Sequence, residues 1–245
     1  MAIDDRLLRV LRAMNEIGAV SVLDLSRYTG ISRAAIYRIM EALGAAGYVR
    51  RIPGTAFYQI TFLVRTLSSG YREQTWIAEA GAQAIGWLQE QVRWPTSLAI
   101  PERAHMVVRE TTRFRSPFVF DVGTVGLTLP MFTSALGLAY YANCDLKSQK
   151  ILTSLVTDGS ASDKPLPSQV RAITRRGYAT RIGGIDRNTG SIAVPLLSRE
   201  GAVGAICVTY AKRAINERQA LRDFLPPLRL AASRIIRAYE PSVQP

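Results

Sequence analysis

The sequence is poor in the side chains that carry most metal and nucleophilic chemistry. Its 245 residues contain two cysteines, Cys144 and Cys207, and one histidine, His105. The cysteines form no CxxC pair and have no histidine near them in sequence, which argues against a zinc site or a disulfide framework. A catalytic pair of Cys207 and His105 would require the fold to join them, and no nucleophile signature supports one. We expect no enzyme, no cofactor, no metal site, and a paired structural histidine in a strand.

Long apolar runs are also absent. No stretch approaches the roughly 18 residues that a membrane-spanning helix needs. Asp4 and Asp5 precede Arg6, so the start of the chain lacks the charged-then-apolar order of a signal peptide. We expect a cytoplasmic protein that has no membrane partner.

Acidic residues are scarce relative to basic ones. The chain has 31 Lys and Arg against 19 Asp and Glu, a formal net charge of +12. The segment 1–72 contains ten basic and five acidic side chains, so positive charge is densest there. A polyanion is a natural partner for such a segment, while the rest of the chain could simply have a basic solvated surface.

Residues 22–43 predict two short helices joined by a glycine-centred turn. Apolar residues recur every three positions from Val22 to Tyr28, Gly30 permits a positive φ at the turn, and Ser32 is a suitable N-cap. Helical spacing then predicts a buried stripe of Ile36, Ile39, Met40 and Leu43. The same spacing turns Arg33, Ala34, Tyr37 and Arg38 outward, where a recognition helix presents side chains to the major groove.

The flanking segments extend this pattern to a winged helix-turn-helix. Upstream, residues 7–17 predict an amphipathic helix that ends at Gly18. Downstream, 49–52 and 57–61 predict two strands around a Pro-Gly turn. The alternative is a helical hairpin with a β-ribbon that binds nothing. The candidate DNA-binding residues are Arg27, Ser32, Arg33, Ala34, Tyr37, Arg38, Arg50 and Arg51.

The remainder predicts an α+β domain with an antiparallel sheet. We divide the chain into a winged helix-turn-helix domain (1–66), a linker helix (67–78) and a second domain (79–245). Patterns in the second domain predict helices at 73–93, 133–142, 170–176 capped by Ser168, and 227–239 with Pro226 and Pro227 in its first turn. They predict strands at 96–101, 104–111 and 118–122, and a hairpin of 191–197 with 202–210.

These motifs resemble the IclR family of bacterial transcription regulators over nearly the whole chain. The matching segments are the winged domain, Leu129-Pro130 followed by Thr133–Gly137, and Gly177-Tyr178 leading to Ser191–Leu196. Residues 47–51, 94–96 and 106–112 are similar to the branch that activates hydroxyphenylpropionate catabolic genes. The resemblance implies a GAF-like effector-binding domain and a dimer, commonly paired into a tetramer, on a palindromic operator. The sequence departs from many members at Gly184–Arg187.

Two patterns point to an effector pocket. Alternation along the strand 202–210 places Val203, Ala205, Cys207 and Thr209 on one face, and Ile206, Val208 and Tyr210 on the other. The helix that begins at Thr133–Ala135 offers N–H groups to a carboxylate. The residue-by-residue resemblance implies Gly126, Leu129, Met131, Ser134, Asp186, Ile192 and Cys207 as lining residues, and Thr209 joins them from the alternation. The alternative is that all of these fill the core.

The sequence therefore predicts a regulator that binds operator DNA and responds to a small organic acid, aromatic in the branch it resembles. Its partners would be double-stranded operator DNA, the acid, further copies of itself as a homodimer or tetramer, and RNA polymerase if it activates. One alternative is an architectural DNA-binding protein without an effector. Another is an enzyme with a DNA-binding appendage, which the poverty of histidine, cysteine and clustered carboxylates argues against.

Overall fold

The computed structural model describes residues 5–68, 77–118, 125–155, 164–182 and 187–242. The chain forms two compact units, residues 1–72 and 73–245, and each is considered by itself. Most of the predicted linker helix, residues 69–76, lies outside the described residues, as does most of the predicted strand 118–122. Phe118 itself is described and belongs to no strand.

The first unit is a three-helix domain with a small antiparallel sheet. Its helices are α1 (Asp5–Ile17), α2 (Val22–Thr29) and α3 (Arg33–Ala45), and its strands are β1 (Val20–Ser21), β2 (Val49–Arg51) and β3 (Phe57–Ile60). The strand order is β1-β3-β2, and a 3₁₀ helix, Phe62–Ser68, follows. This confirms the predicted winged helix-turn-helix. The sequence did not predict β1, because two residues are too few to show a period.

Side-chain hydroxyls hold the turn between α2 and α3. Gly30 has a φ of 70°, and its N–H donates to the Ser26 carbonyl. The Thr29 hydroxyl donates to the Leu25 carbonyl at 2.6 Å, and the Ser26 hydroxyl donates to the Ile31 carbonyl at 2.7 Å. With these polar groups paired, the turn fixes the direction in which α3 leaves α2.

The second unit contains one six-stranded antiparallel sheet. A single π-helical turn (Ile77–Gly81) precedes α4 (Ala82–Val92), and a short 3₁₀ turn (Arg113–Arg115) follows β5. The other elements are β4 (Thr96–Glu102), β5 (His105–Thr111), β6 (Thr128–Pro130), α5 (Ala135–Tyr141), α6 (Leu146–Leu155), α7 (Pro167–Arg176), β7 (Ala179–Ile182), β8 (Thr189–Ser198), β9 (Gly201–Ala211) and α8 (Glu217–Ser242). The strand order is β6-β5-β4-β9-β8-β7. The predicted α+β class with an antiparallel sheet is confirmed.

Helices cover both faces of this sheet. One hydrophobic cluster joins α4 and α8 to Leu98, Ile206 and Tyr210. A second cluster joins α5, α6 and α7 to the opposite face, which includes Ala193 and Cys207. Because β8 is covered on both sides, eight consecutive residues from Thr189 are buried, and the strand shows no polar alternation.

The sequence did not predict β6, α6 or β7, and three predicted details differ in the structure for identifiable reasons. The final helix begins at Glu217, so Pro226 and Pro227 lie inside it. Proline removes a helix hydrogen bond, but buried Phe224 and Leu228 anchor the helix to the sheet on either side of the pair. α7 begins at Pro167 with Leu166 as its N-cap, because proline suits the first helical position, so Ser168 lies in the first turn.

The third difference concerns Val203 in β9. Its side chain packs with the α4 and α8 cluster, on the face of Ile206, and not with Cys207. The pairing of β8 with β9 shifts between Leu196 and Leu197, which places an extra residue at this point of β9. Such a bulge reverses the alternation on one side of it, and a strict period of two cannot foresee this.

Candidate functional site

The first half of helix α3 presents a continuous exposed face to solvent. Ser32 is its N-cap, and the Ser32 hydroxyl accepts a hydrogen bond from the Ala35 N–H at 3.4 Å. The predicted inward residues Ile36, Ile39, Met40 and Leu43 are buried, and Ser32, Arg33, Ala34, Tyr37 and Arg38 are exposed. The Tyr37 side chain keeps 57% of its surface accessible between the two arginines. Five neighbouring side chains are thus free of the core at the first half of this helix.

Helix α2 contributes Arg27 and Tyr28 to the exposed surface. Two helical turns from Val22 end at Thr29, which is buried on the same face. Tyr28 lies one residue earlier, so its side chain points away from the core. The Tyr28 hydroxyl donates to a Glu16 carboxylate oxygen at 2.6 Å, and this bond raises the pKa of Tyr28. The pair ties α2 to α1 and leaves Arg27 exposed in the last turn of α2.

Two exposed arginines form the polar side of the wing. Arg51 donates from Nε to the Thr55 carbonyl at 2.9 Å, across the turn that contains Gly54. The Gln59 amide faces the Arg50 guanidinium, and with its oxygen on that side it accepts from Arg50 Nε at 2.6 Å. Each bond uses part of a guanidinium that has five N–H donors. The arginines are therefore held beside the wing turn with donors left for a phosphate.

The second unit encloses a small cavity of about 50 Å³ between the sheet and the start of α5. Of the residues predicted to bind an effector, it is lined by Leu129, Ser134, Cys207 and Thr209. The remaining walls are Ser97, Val108, Arg113, Leu127, Ala135, Leu136, Arg181 and Ser191. All six strands of the sheet and the α5 N-terminus thus bring together residues that are far apart in sequence.

The structure places the other predicted pocket residues elsewhere. Ile192 is completely buried on the opposite face of the sheet, in the cluster of α4 and α8. Met131 is 1% exposed within the core beneath α5. Gly126 lies at a turn with a φ of 87°, and its N–H donates to the Val108 carbonyl, next to the lining residue Leu127. Asp186 lies outside the described residues.

Two arginines in the cavity wall were not predicted from the sequence. Arg181, on β7, donates to the Thr189 and Ser191 hydroxyls at 3.1 and 3.2 Å, and Ser191 Oγ lies 3.1 Å from Thr209 Oγ1. Arg113 follows β5 in its short 3₁₀ turn. The available signal was a charged residue inside the short strand Ala179–Ile182, but only the sheet order brings it to the same cavity as Arg113.

Both arginines affect the thiol of Cys207. Burial raises the pKa of Cys207, while the positive charges of Arg113 and Arg181 act in the lowering direction. The cavity therefore places two cationic side chains beside an apolar wall.

Ser134 already occupies the start of α5. Its hydroxyl accepts from the Gly137 N–H at 3.0 Å and donates to the Pro130 carbonyl at 2.7 Å, and the residue is 2% exposed. The helix has only seven residues. The arginines, and not the helix end, are therefore the strongest groups for an anion in this cavity.

Cys207 and His105 lie too far apart to act together. Cys207 pairs with Ser97 near one end of β4, and His105 pairs with Glu102 at the other end, about 16 Å away along the strand. His105 begins strand β5, as expected from the sequence, and its side chain is exposed. In the described part of the chain, no three His, Cys, Asp or Glu side chains cluster as a metal site, and no helix is long and apolar enough to span a membrane.

The exposed arginines of α3, which is the second helix of the helix-turn-helix, and the basic wing are typical of winged helix-turn-helix DNA-binding domains. Residues 5–53 match the family model described as the IclR helix-turn-helix domain. The glycerol operon regulatory protein of Streptomyces griseus is 24% identical over 195 residues, which are 76% of this chain and 75% of that protein.

Solved structures match both units of the chain. The IclR of Thermotoga maritima has a TM-score of 0.66 at 16% identity, and the match covers 95% of this chain and 96% of that one. An IclR homologue from Microbacterium hydrocarbonoxydans, complexed with 4-hydroxybenzoate, has a TM-score of 0.63 at 21% identity and coverage of 96% and 98%. The family model thus covers the helix-turn-helix of the first unit, and the solved structures show that the chain shares their fold.

Proposed function

We propose that this protein is an operator-binding transcription regulator whose activity is controlled by a small organic acid. One observation carries the proposal: an exposed arginine-bearing recognition helix in one unit accompanies a buried cavity with two arginines in the other. The first feature suits a nucleic acid, and the second suits a compact anion.

In this proposal α3 enters the major groove. Arg33 and Arg38 are the candidates for base contacts, because arginine donates two parallel bonds to guanine, and Tyr37 lies between them. Ser32 and Ala34 lie where the helix start approaches the DNA. Arg27, Arg50 and Arg51 contact phosphates, which supplies affinity without sequence choice.

The acid occupies the cavity with its carboxylate between Arg113 and Arg181. The bonds from Arg181 to Thr189 and Ser191 hold its guanidinium at the cavity wall, where it would donate to the carboxylate. Leu127 and Leu129 form the apolar wall that would contact the rest of the acid.

The volume of the cavity bears on the size of the acid. About 50 Å³ is smaller than the roughly 150 Å³ of a cavity that holds benzene, so an aromatic acid requires the wall to move. The wall includes β6, an edge strand with only three residues paired to β5. We propose an aromatic acid of the hydroxyphenylpropionate type as the first class to test, because a relative's structure contains 4-hydroxybenzoate.

The segment 66–77 joins the two units along the chain, and we propose that it couples them. If the acid favours one arrangement of paired winged helices in a homodimer or tetramer, operator affinity changes by typically 1 to 3 kcal/mol. RNA polymerase becomes a further partner if the operon is activated.

The test combines thermal unfolding with operator binding. We expect an acid from a panel of propionate, benzoate, 4-hydroxybenzoate and hydroxyphenylpropionate to stabilise the protein, by about 2.7 kcal/mol at a hundredfold excess over its Kd. The double variant Arg113→Gln, Arg181→Gln should lose this response and keep operator affinity, whereas Arg175→Gln on the exposed side of α7 should change neither. If no acid stabilises the protein while operator binding is normal, the architectural alternative is favoured.

A further inference from the structure

A second concave surface lies on the other side of the sheet from the arginine cavity. This α8 groove has a volume of about 460 Å³ and runs between β8 and the C-terminal half of α8, beside Gly177. Apolar side chains form its floor, among them Leu197, Ala232 and Ile236. Ala232 and Ile236 belong to the α4 and α8 cluster, so the groove shares no wall with the arginine cavity.

Arginines flank this apolar floor. Arg229, Ser233 and Arg237 follow one another at intervals of four along α8, which puts them on one stripe of the helix about 12 Å long. Arg229 is held in place, because it donates to the Arg176 carbonyl at 2.8 Å at the end of α7. Among the described residues of the groove, none is Asp or Glu.

The floor of the groove is unusual for β8. That strand is buried over eight residues, yet Leu197 near its end keeps 49% of its surface accessible. This exposed aliphatic surface lies beside two arginines, and no described lining residue of the groove is acidic. Such a surface suits a ligand with an apolar body and an anionic head.

We propose that the α8 groove binds an amphipathic organic anion, a carboxylate or sulfonate with an apolar ring or chain. The apolar body lies on Leu197 and Ile236, and the anionic head contacts Arg237 and Arg229. The volume falls within the roughly 300 to 1,000 Å³ typical of small-molecule sites. Occupation of the groove by a second copy of this chain is the alternative outcome that sedimentation distinguishes.

This site does not depend on the proposed effector cavity, and the experiment separates the two. The probe is 8-anilinonaphthalene-1-sulfonate, whose fluorescence rises in apolar surroundings, titrated into the full chain. We expect saturable binding that Arg229→Gln with Arg237→Gln weakens at least fivefold and that Leu197→Asp abolishes. Arg218→Gln, an exposed arginine on the same helix, is the matched control and should bind as the native protein does.

Competition and self-association complete the test. Decanoate should displace the probe and decanol should not, because only the acid engages the arginines. Circular dichroism during heating verifies that each variant folds. Native affinity in the double arginine variant would overturn the proposal, as would loss of binding in Arg113→Gln with Arg181→Gln. A change of sedimentation in Leu197→Asp without any probe binding by the native protein would assign the groove to self-association instead.

Discussion

Gly137 offers the sharpest test of how α5 is seated beneath the cavity. It lies inside a helix, where alanine is ordinarily more stable than glycine by about 1 kcal/mol. A Cβ at this position, however, would stand 2.6 Å from the carbonyl carbon of Met131 and 2.7 Å from its Cα. Ordinary van der Waals contact begins near 3.4 Å, and the Met131 carbonyl oxygen would lie closer still than these two carbons, so the two backbone segments would have to separate by more than about 0.8 Å.

This clash makes Gly137→Ala destabilising, although alanine is the better helix former. Overpacking of this kind typically costs about 1 to 3 kcal/mol, and here the opposing atoms are backbone atoms that cannot rotate away. Displacement of the helix would also strain the bond from the Gly137 N–H to Ser134. Because backbone atoms oppose the Cβ, we expect a cost at the upper end of this range, about 3 kcal/mol, so Gly137→Ala should lose about 2 kcal/mol after the propensity gain. In a unit of this size that loss lowers Tm by roughly 4 to 8 °C.

Gly86→Ala is the matched control, because a Cβ on Gly86, also inside a helix, meets nothing within 4 Å. It should raise stability by about 0.5 to 1 kcal/mol. Tryptophan fluorescence during urea unfolding measures both, since all three tryptophans lie beyond Arg72 and report only on the second unit. If Gly137→Ala unfolds at the native urea concentration or above it, the proposed seating of α5 is wrong.

Three further predictions concern the interface, the ionisation of buried groups and the acid. Arg33→Ala and Arg38→Ala should each cost about 1 to 3 kcal/mol of operator affinity if they contact bases. Arg51→Ala should weaken binding to all sequences and reduce the slope of log affinity against log salt concentration by about one. Fluorescence anisotropy measures both effects. Equal losses on operator and random DNA for Arg33→Ala would contradict base reading. Burial raises the pKa of Cys144 to about 11. The unfolded chain therefore releases the thiol proton at a lower pH than the folded chain does. The stability that the protonated thiol contributes is present below pH 9 and declines from pH 9 to 11. Urea midpoints of Cys144→Ala should fall less steeply across that window; an identical slope would show that other groups cause the decline. Leu129→Ala should enlarge the cavity and improve the affinity for benzoate relative to propionate in calorimetric titrations, and an unchanged ratio would place the acid elsewhere.

Local patterns were sufficient for the helix-turn-helix. Its helices are short, its turn depends on Gly30 and Ser32, and its inward and outward faces follow from helical spacing within the single segment 22–43. The β8–β9 hairpin was also predictable, because a short connection joins two adjacent apolar segments. In such elements the interacting residues are near neighbours in the chain, so the sequence displays the pattern directly.

Long-range packing explains the failures. Pro226 and Pro227 lie within α8 because the sheet holds both halves of the helix, which no local rule can include. Ile192 was grouped with the pocket by resemblance, but its position directly after Ser191 turns it to the other face of β8. Val203 was misplaced by a register shift that depends on its partner strand.

The sequence by itself determined the class of the protein: a basic winged helix with Arg33, Tyr37 and Arg38 outward, followed by an α+β domain. Periodicity, caps and charge are properties of short segments, so they can be recognised in the sequence without knowledge of the fold. Only the tertiary structure decided what faces the cavity and the α8 groove. Arg113 and Arg181 lie on distant segments of the chain, as do Leu197 and Arg237. Strand order and helix docking bring these side chains together, because burial of apolar surface on both faces of the sheet leaves one arrangement for the chain.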